Sequence, residues 1–397
     1  MKLKISYSSE LKFLFNLFEK YRGDSLRIVG GAVRDAVLNK KINDFDLCTT
    51  FQPDKVLSML KIQNIKCLET GKNFGTITAM INGIKFEITT LRKDVECDGR
   101  HTDVKFVNSY EVDSKRRDLT INALYMNKNK EVFDYNNGLK DLENGLIKFI
   151  GEPEKRVEED YLRILRFFRF YGEYGKVFDE ESLKACVRHK DGILKLSRER
   201  ITEEFIKILN TQKFYETVSI MNEYDILIEN LKINNIKLEY LKRYYIIKPS
   251  LKFFFNPIFP LILIIAENEL DNFMELFSLS NKSKLFIQKI IKYAKMPLNL
   301  KYLLFEVEDQ ELIKHIVLLN GILNKSNAEA INRNVNSVLH MKIENFNLKA
   351  SDLEANGFLD KTQYSKLIEQ GKQIYINADC YAPTEYIIEE LKKMNSK

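Results

Sequence analysis

The sequence predicts an α/β unit at the N-terminus followed by an all-α region, and three observations carry that prediction. A short apolar strand, Leu26–Val29, runs into the pair Gly30-Gly31 and then into a helix-like stretch, Ala32–Leu38. Two runs of strand formers, 75–81 and 84–91, flank Asn82-Gly83, a dipeptide that favours a tight hairpin. Beyond about residue 150 the strand signals fade, apolar residues recur at helical spacing, and glycine and proline become rare.

Taken in order, the first element is an amphipathic helix, in which Leu11, Phe13, Leu14, Leu17 and Phe18 form one stripe. Two glycines at the following strand-to-helix turn allow close approach of a ligand to the backbone. The free N–H groups of the helix start favour an anion, most often phosphate, and Arg34 in the first turn adds a candidate clamp. Next comes Asp44-Phe45-Asp46. Read as a strand, it puts both carboxylates on one face, where they suit a hard cation such as Mg²⁺. A helix is expected after Pro53, then the hairpin, on whose second strand Ile84, Phe86 and Ile88 share one face and Glu87 takes the other. Glu87 is either a third carboxylate over the metals or a solvated strand residue. The polar stretch 94–105, centred on Gly99, reads as a mobile loop.

Two further clusters bear chemistry. Arg116 and Arg117 precede Asp118 and Asn122, whose i, i+4 spacing places them on one face of a helix, if one forms there. In Glu158–Arg169, read as a helix, Tyr161, Ile164, Leu165 and Phe168 form the apolar stripe, while Asp160 and Arg163 lie one turn apart elsewhere. Aspartate accepts from an exocyclic amine and arginine donates to a ring nitrogen or carbonyl, so the pair can read cytosine or adenine. The plainer alternative is an i, i+3 ion pair worth a few tenths of a kcal/mol. Arg166 and Arg169 extend the same ridge with no ion-pair reason in the sequence.

Composition sets wide bounds. A chain of 397 residues that is 45% hydrophobic builds a sizeable core in more than one unit. A net charge of +6 admits a polyanionic partner without demanding one. The five scattered cysteines form no C-x-x-C pair, and the default is reduced thiols in a cytosolic setting. The longest uncharged run, 253–266, is too short to span a bilayer and contains Pro257 and Pro260, so no membrane segment is expected.

In this order the stretches LRIVGGAVRD, DFD, FEITTLR, DGRH, RRDLTINA, FDYNNGLKDL, EEDYLRILRFFRF and LSRERI resemble the class II tRNA nucleotidyltransferases, or CCA-adding enzymes, and the related bacterial poly(A) polymerases. The resemblance runs from Leu26 to about Arg200. It implies an α+β fold: a polymerase-β-type nucleotidyltransferase head (1–150), a helical neck and body (151–255) for nucleotide selection and RNA binding, and a helical body and tail (256–397) for tRNA. It implies addition of CCA to the tRNA 3′ end from CTP and ATP without a template, by two-metal nucleotidyl transfer that releases pyrophosphate. Asp44 and Asp46 match the ligands of two Mg²⁺ ions, with Glu87 as an adjacent catalytic candidate.

Gly31 and Arg34 match the triphosphate contacts, beside Gly30 of the same turn, and Arg117, Asp118 and Asn122 match the motif that holds sugar and phosphates. Asp160 and Arg163 match the pair that selects CTP and then ATP, with Arg166 and Arg169 as further nucleotide contacts. The 94–105 loop matches one that complete CCA-adders need for the final adenosine. The motifs 134–142 and 196–201 resemble those that couple head to neck and support the selecting helix. One departure is Asn39, where relatives often have glycine at a left-handed helix cap that asparagine also tolerates. None of the four histidines is followed by aspartate, so the phosphohydrolase domain of some bacterial members is not expected. A bacterial cytoplasm or an organelle is the expected setting. The runners-up are a poly(A) polymerase, a CC- or A-only enzyme on the same head, and a silent RNA-binding protein.

Overall fold

The computed structural model describes residues 1–42, 44–97, 102–226, 237–264, 270, 277–343 and 345–395, without the side chains of 94–97, 102 and 103. The chain divides into two compact units, Met1–Asn234 and Asn235–Lys397.

In the first unit, helix α1 (Ser9–Glu19) buries Leu11, Leu14, Leu17 and Phe18, as the stripe predicts, but takes Phe15 inward and leaves Phe13 outside. The strands β1 (Leu26–Val29), β2 (Asp46–Thr49), β3 (Lys66–Leu68), β4 (Thr76–Ile81), β5 (Ile84–Thr90), β8 (Leu124–Met126) and β9 (Val132–Asp134) make one sheet in the order β3-β4-β5-β2-β1-β8-β9. All its ladders are antiparallel except β2–β5, which is parallel. The β4–β5 hairpin turns through Asn82 and Gly83, both at positive φ, with Ile81 opposite Ile84. Its core face is Phe86 and Ile88; Ile84, at the exposed turn end, is not buried. Helices α2 (Gly31–Val37) and α3 (Pro53–Ile62) follow β1 and β2. Asn39 takes a left-handed φ of 54° after α2, as expected of the residue replacing glycine there.

The stretch read as a loop is largely a ribbon. Strands β6 (Arg92–Cys97) and β7 (Thr102–Phe106) pair antiparallel, closed at the base by the Val107 N–H donating to the Leu91 carbonyl at 2.8 Å. The tip, 98–101, lies outside the described residues.

The rest of the first unit is mainly helical: α4 (Tyr110–Ser114), α5 (Gly138–Asn144), α6 (Pro153–Glu159), α7 (Leu162–Tyr174), α8 (Glu180–Arg188), α9 (Arg198–Leu209) and α10 (Phe214–Glu223), with a short parallel pair, β10 (Leu146–Ile147) and β11 (Val177–Phe178). Phe149, Phe167, Phe168 and Phe178 stack into an aromatic core beneath α7.

The described residues of the second unit are helical, as expected from the loss of strand signals. Helix Gln310–Leu323 is central and buries ten consecutive or near-consecutive positions around its circumference. Helices Asn281–Ala294 and Ala328–His340 pack against it. A separate apolar cluster joins Leu353, Leu367, Tyr375, Ile387 and Leu391 near the C-terminus. Among the described residues no helix is long and apolar enough to cross a membrane.

Candidate active site

The glycine turn opens the site. Gly30 adopts φ 73°, ψ −125°, a backbone that side-chain-bearing residues rarely take, and its N–H donates to the Leu124 carbonyl of β8 at 3.0 Å. Helix α2 then brings Arg34 inward. Arg34 is 6% exposed and fully partnered: Nη1 donates to Asn122 Oδ1 at 2.5 Å, Nη2 to the Tyr174 hydroxyl at 2.9 Å, and Nε to Asp35 at 3.2 Å. Its guanidinium lies 4.2 Å from the Tyr174 ring centroid. A buried cation needs such partners. Arg34 thereby joins α2, Asn122 and α7 at the cavity wall.

Only Asp46 of the Asp44-Phe45-Asp46 triplet is in strand β2; Asp44 lies just before it, and Phe45 packs edge-on against Tyr7. Across the parallel ladder Asp46 is in register with Glu87. Asp46 opens to the cavity yet is crowded by protein. That desolvation, then the charges of Glu87 and Asp44, push its carboxyl above the ordinary value, while Arg117 acts in the opposite direction. Glu87 itself is exposed and accepts from Lys85 Nζ at 2.6 Å. Among the described residues no group of three histidine, cysteine or acidic side chains is arranged to hold a metal ion. The donor set suits a hard divalent cation: carboxylate oxygens, with the negative charges of Glu87 and Asp44 acting on Asp46.

The RRD segment is not the α-helix expected from the sequence. Helix α4 ends at Ser114, the chain turns, and a single 3₁₀ turn covers Thr120–Asn122. The juxtaposition holds all the same, because Asn122 Nδ2 donates to Asp118 Oδ1 at 3.1 Å. Gly138 explains the tight fit: a side chain there would start 2.2 Å from the Thr120 carbonyl oxygen. Asp134 fixes that neighbouring segment by accepting the N–H groups of Asn136, Gly138 and Leu139. Burial alone would raise the Asp118 carboxyl, but Arg166, the Leu119 N–H and Asn122 together hold it at about 2.

The selecting helix is also broken. Asp160 caps α6 in extended conformation (φ −159°, ψ 106°), Tyr161 follows, and α7 begins at Leu162. The aspartate bends the chain because its Oδ1 accepts the Leu162 N–H at 3.1 Å. Asp160 and Arg163 do not pair with each other. Asp160 Oδ2 accepts from Arg200 Nη2 at 2.7 Å, whereas Arg163 Nη1 donates to Glu159 at 2.6 Å and to the Arg156 carbonyl at 3.0 Å. The plain i, i+3 ion pair is thus absent. The ridge arginines, which had no partner in the sequence reading, have them in space: Arg166 with Asp118 at 2.6 Å and Arg169 with Glu204 at 2.5 Å.

These side chains surround one cavity of about 570 Å³. Gly30, Gly31, Arg34, Asp46, Arg117, Asp118, Asn122, Asp160, Arg163, Arg166 and Arg169 all line it; Asp44 and Glu87 do not. The sequence reading missed Phe170, Glu173, Tyr174, Lys207, Asn210 and Thr211, which complete the wall. Their approach depends on how α7 and α9 pack, and no local spacing announces it. Seven cationic side chains against four carboxylates in the lining favour an anionic occupant.

A cavity of this charge suits a ligand that carries phosphates, and the comparisons point to relatives that handle such ligands. Residues 26–148 match the family described as the Poly A polymerase head domain, and residues 177–231 that described as the probable RNA and SrmB-binding site of polymerase A. The mitochondrial CCA tRNA nucleotidyltransferase 1 of Homo sapiens is 40% identical over 224 residues, 55% of this chain and 51% of the human protein. The CCA-adding enzyme of Streptococcus thermophilus is 38% identical over 212 residues, 52% of each chain. Over about half of its length the chain is thus similar to CCA-adding enzymes, and it spans about half the length of the relatives it matches in sequence. In fold it resembles the Bacillus stearothermophilus CCA-adding enzyme solved with CTP (TM-score 0.76, 22% identity, 98% of this chain and 97% of that one). It also resembles the Thermotoga maritima CCA-adding enzyme solved with tRNA (TM-score 0.68, 17% identity, 98% and 96%).

Proposed function

We propose that the protein adds CCA to the 3′ end of tRNA from CTP and ATP, without a nucleic-acid template, releasing pyrophosphate. The observation that carries this reading is the meeting of the glycine turn, Asp46, the Arg117–Asn122 segment and the Asp160/Arg163 pair around one cationic cavity. The similarity to CCA-adding enzymes over about half the chain supports it.

Gly30, Gly31 and Arg117 take the triphosphate, and Arg34, on the same cavity wall, holds that end in shape. Asp118 and Asn122 orient the sugar. Asp44 and Asp46 are the residues that would hold two Mg²⁺ ions, and such ions would supply activation of a primer hydroxyl and charge stabilisation for a pyrophosphate leaving group. Glu87 sets the charge beside Asp46. The 3′-hydroxyl attacks the α-phosphate in line, and Arg117 and Arg166 neutralise charge at that end of the cavity. Each Asp160 oxygen has a second lone pair, so the carboxylate accepts the base amine while Arg200 and the Leu162 N–H keep it in place. Arg163 donates to the ring edge. Uracil and guanine leave those groups unsatisfied and are rejected by about 100-fold or more. Arg169 supports the wall through Glu204. Residues 1–150 act as head, 151–255 as neck and body, and 256–397 as body and tail along the tRNA, in a bacterial cytoplasm or an organelle.

The test is incorporation into three tRNA primers, ending at the discriminator base, in C, and in CC, each with Mg²⁺ and CTP, ATP or both. Addition of the missing residues followed by a stop is expected. Long A tails with ATP alone would establish poly(A) synthesis instead, and no incorporation would leave an RNA-binding protein.

A further inference from the structure

We propose that Asp113, a residue outside the cavity wall, is the positioning residue for its phosphate end, fixing Arg116 and Arg117 to each other and to the base of the β6–β7 ribbon. The inference rests on the nucleotide-binding reading above and adds to it a group that touches no substrate.

Asp113 is 1% exposed and has five hydrogen bonds to its carboxylate. Oδ1 accepts from Arg116 Nε at 2.8 Å and from the Arg92 backbone N–H at 3.2 Å. Oδ2 accepts from the Tyr125 hydroxyl at 2.8 Å and from Arg117 Nη2 and Nε at 3.1 and 3.3 Å. Tyr125 in turn accepts from Arg117 Nε at 3.1 Å. With two of its nitrogens so held, Arg117 turns the third, Nη1, toward the glycine turn, 3.9 Å from where a Gly30 side chain would begin. That is the end of the cavity assigned to phosphates.

Two adjacent arginines beside an already cationic cavity repel one another and would otherwise turn toward solvent. One buried carboxylate shared between them removes that repulsion and fixes their direction before any ligand arrives, which is preorganisation in the sense that lowers the entropic loss on binding. The Arg116 carbonyl also accepts from Arg156 Nη1 at 3.1 Å and Arg163 Nη2 at 3.4 Å, so the backbone set by Asp113 reaches the base-reading arginine. At the other side, Arg92 opens strand β6, and its side chain bonds the Phe74 carbonyl. A counter-ion that merely offset charge would need none of this directed geometry.

The experiment compares binding of CTP and CMP, with Mg²⁺, to the full-length wild type, Asp113→Asn, Tyr125→Phe, Arg117→Ala and the Asp113→Asn/Arg117→Ala double variant. The amide keeps the shape but loses the charge and gives one acceptor in place of two oxygens. CTP affinity is expected to fall about tenfold, or about 1.4 kcal/mol, with CMP affinity changed less than about twofold. Tyr125→Phe removes one restraint and should shift the CTP/CMP ratio the same way by a smaller factor; if Asp113→Asn does not fold, this variant decides. In the double variant, Asp113→Asn should add less to Arg117→Ala than it costs the wild type, because the part of its effect carried by Arg117 is already lost and only the Arg116 part remains. A folded Asp113→Asn protein with the wild-type CTP/CMP ratio, or one that loses both ligands equally, overturns the positioning role. A wild type that binds CTP no better than CMP would instead overturn the nucleotide site itself.

Discussion

The two units bury polar groups in opposite ways. Among the described residues of the second unit the buried polar side chains are His315 and Asn320, both neutral ties from one helix to nearby backbone. His315 Nε2 accepts the Asn256 N–H at 2.9 Å while Nδ1 donates to the Glu311 carbonyl at 2.7 Å. The first unit buries neutral groups too, such as Thr49 and Asn127, but adds whole charges: Arg34 and Asp118 line the cavity, and Asp113 and Glu204 hold arginines that do. Desolvating a charge costs several kcal/mol even when it is paired, and an apolar pair would often serve stability as well. A cluster of such charges around one cavity is explained by what the cavity holds. The neutral ties of the second unit are explained by folding alone.

That contrast can be broken at its most exposed point. Asp46→Ala should lower nucleotide incorporation by about 1,000-fold or more while leaving the denaturation midpoint unchanged or slightly raised, because the residue is held against desolvation and the charge of Glu87. An equal loss of stability and activity would mean Asp46 belongs to the framework. In the second unit the expectation inverts. Leu318→Ala, at a fully buried position, should destabilise by about 3 kcal/mol in denaturant titrations and leave CTP affinity within about twofold.

Smaller effects sharpen the comparison. Arg163→Ala should reduce discrimination of CTP against UTP by about tenfold to 100-fold, read as the ratio of kcat/KM values, with little change in the total CTP bound at saturation. A variant that still rejected UTP fully would remove Arg163 from base reading.

Acid should then separate the units. Burial, the largest influence, holds the His315 imidazole below its ordinary pKa, outweighing the Glu311 carbonyl. The unfolded chain therefore takes up a proton near pH 6.5 that the folded chain refuses, and the stability associated with His315 declines as pH falls below that point. Asp118 behaves differently. Its folded carboxyl sits at about 2, so its contribution of about 2 kcal/mol is complete above the unfolded value near 4 and disappears only as pH falls toward 2. Denaturation between pH 7 and pH 5 should weaken the wild type more than His315→Gln, and Asp118→Asn should leave that slope unchanged.

How much of this was legible depends on whether the signal was local. The glycine turn, the Asn82-Gly83 hairpin and the left-handed Asn39 are written in short-range backbone preferences, and each appears where the sequence places it. The α7 stripe likewise buried Ile164, Leu165 and Phe168. The break at Asp160 was not foreseen, because a helical pattern runs through it and only the side chain's bond to the Leu162 N–H interrupts it. The partners of Arg34, Arg166 and Arg169 are 35 to 140 positions away, at Tyr174, Asp118 and Glu204, beyond any spacing rule. Asp113 is the exception. It stands three and four residues before Arg116 and Arg117, a spacing that announces side-chain contact, and attention to the arginines alone passed it over.

The most direct test of the account is a structure of the protein with CTP and Mg²⁺. The prediction is a nucleotide in the first unit's cavity, its triphosphate against Gly30, Gly31 and Arg117, and its base edge within hydrogen-bond reach of both Asp160 and Arg163. A nucleotide bound elsewhere, or bound there with its base turned away from that pair, would contradict it.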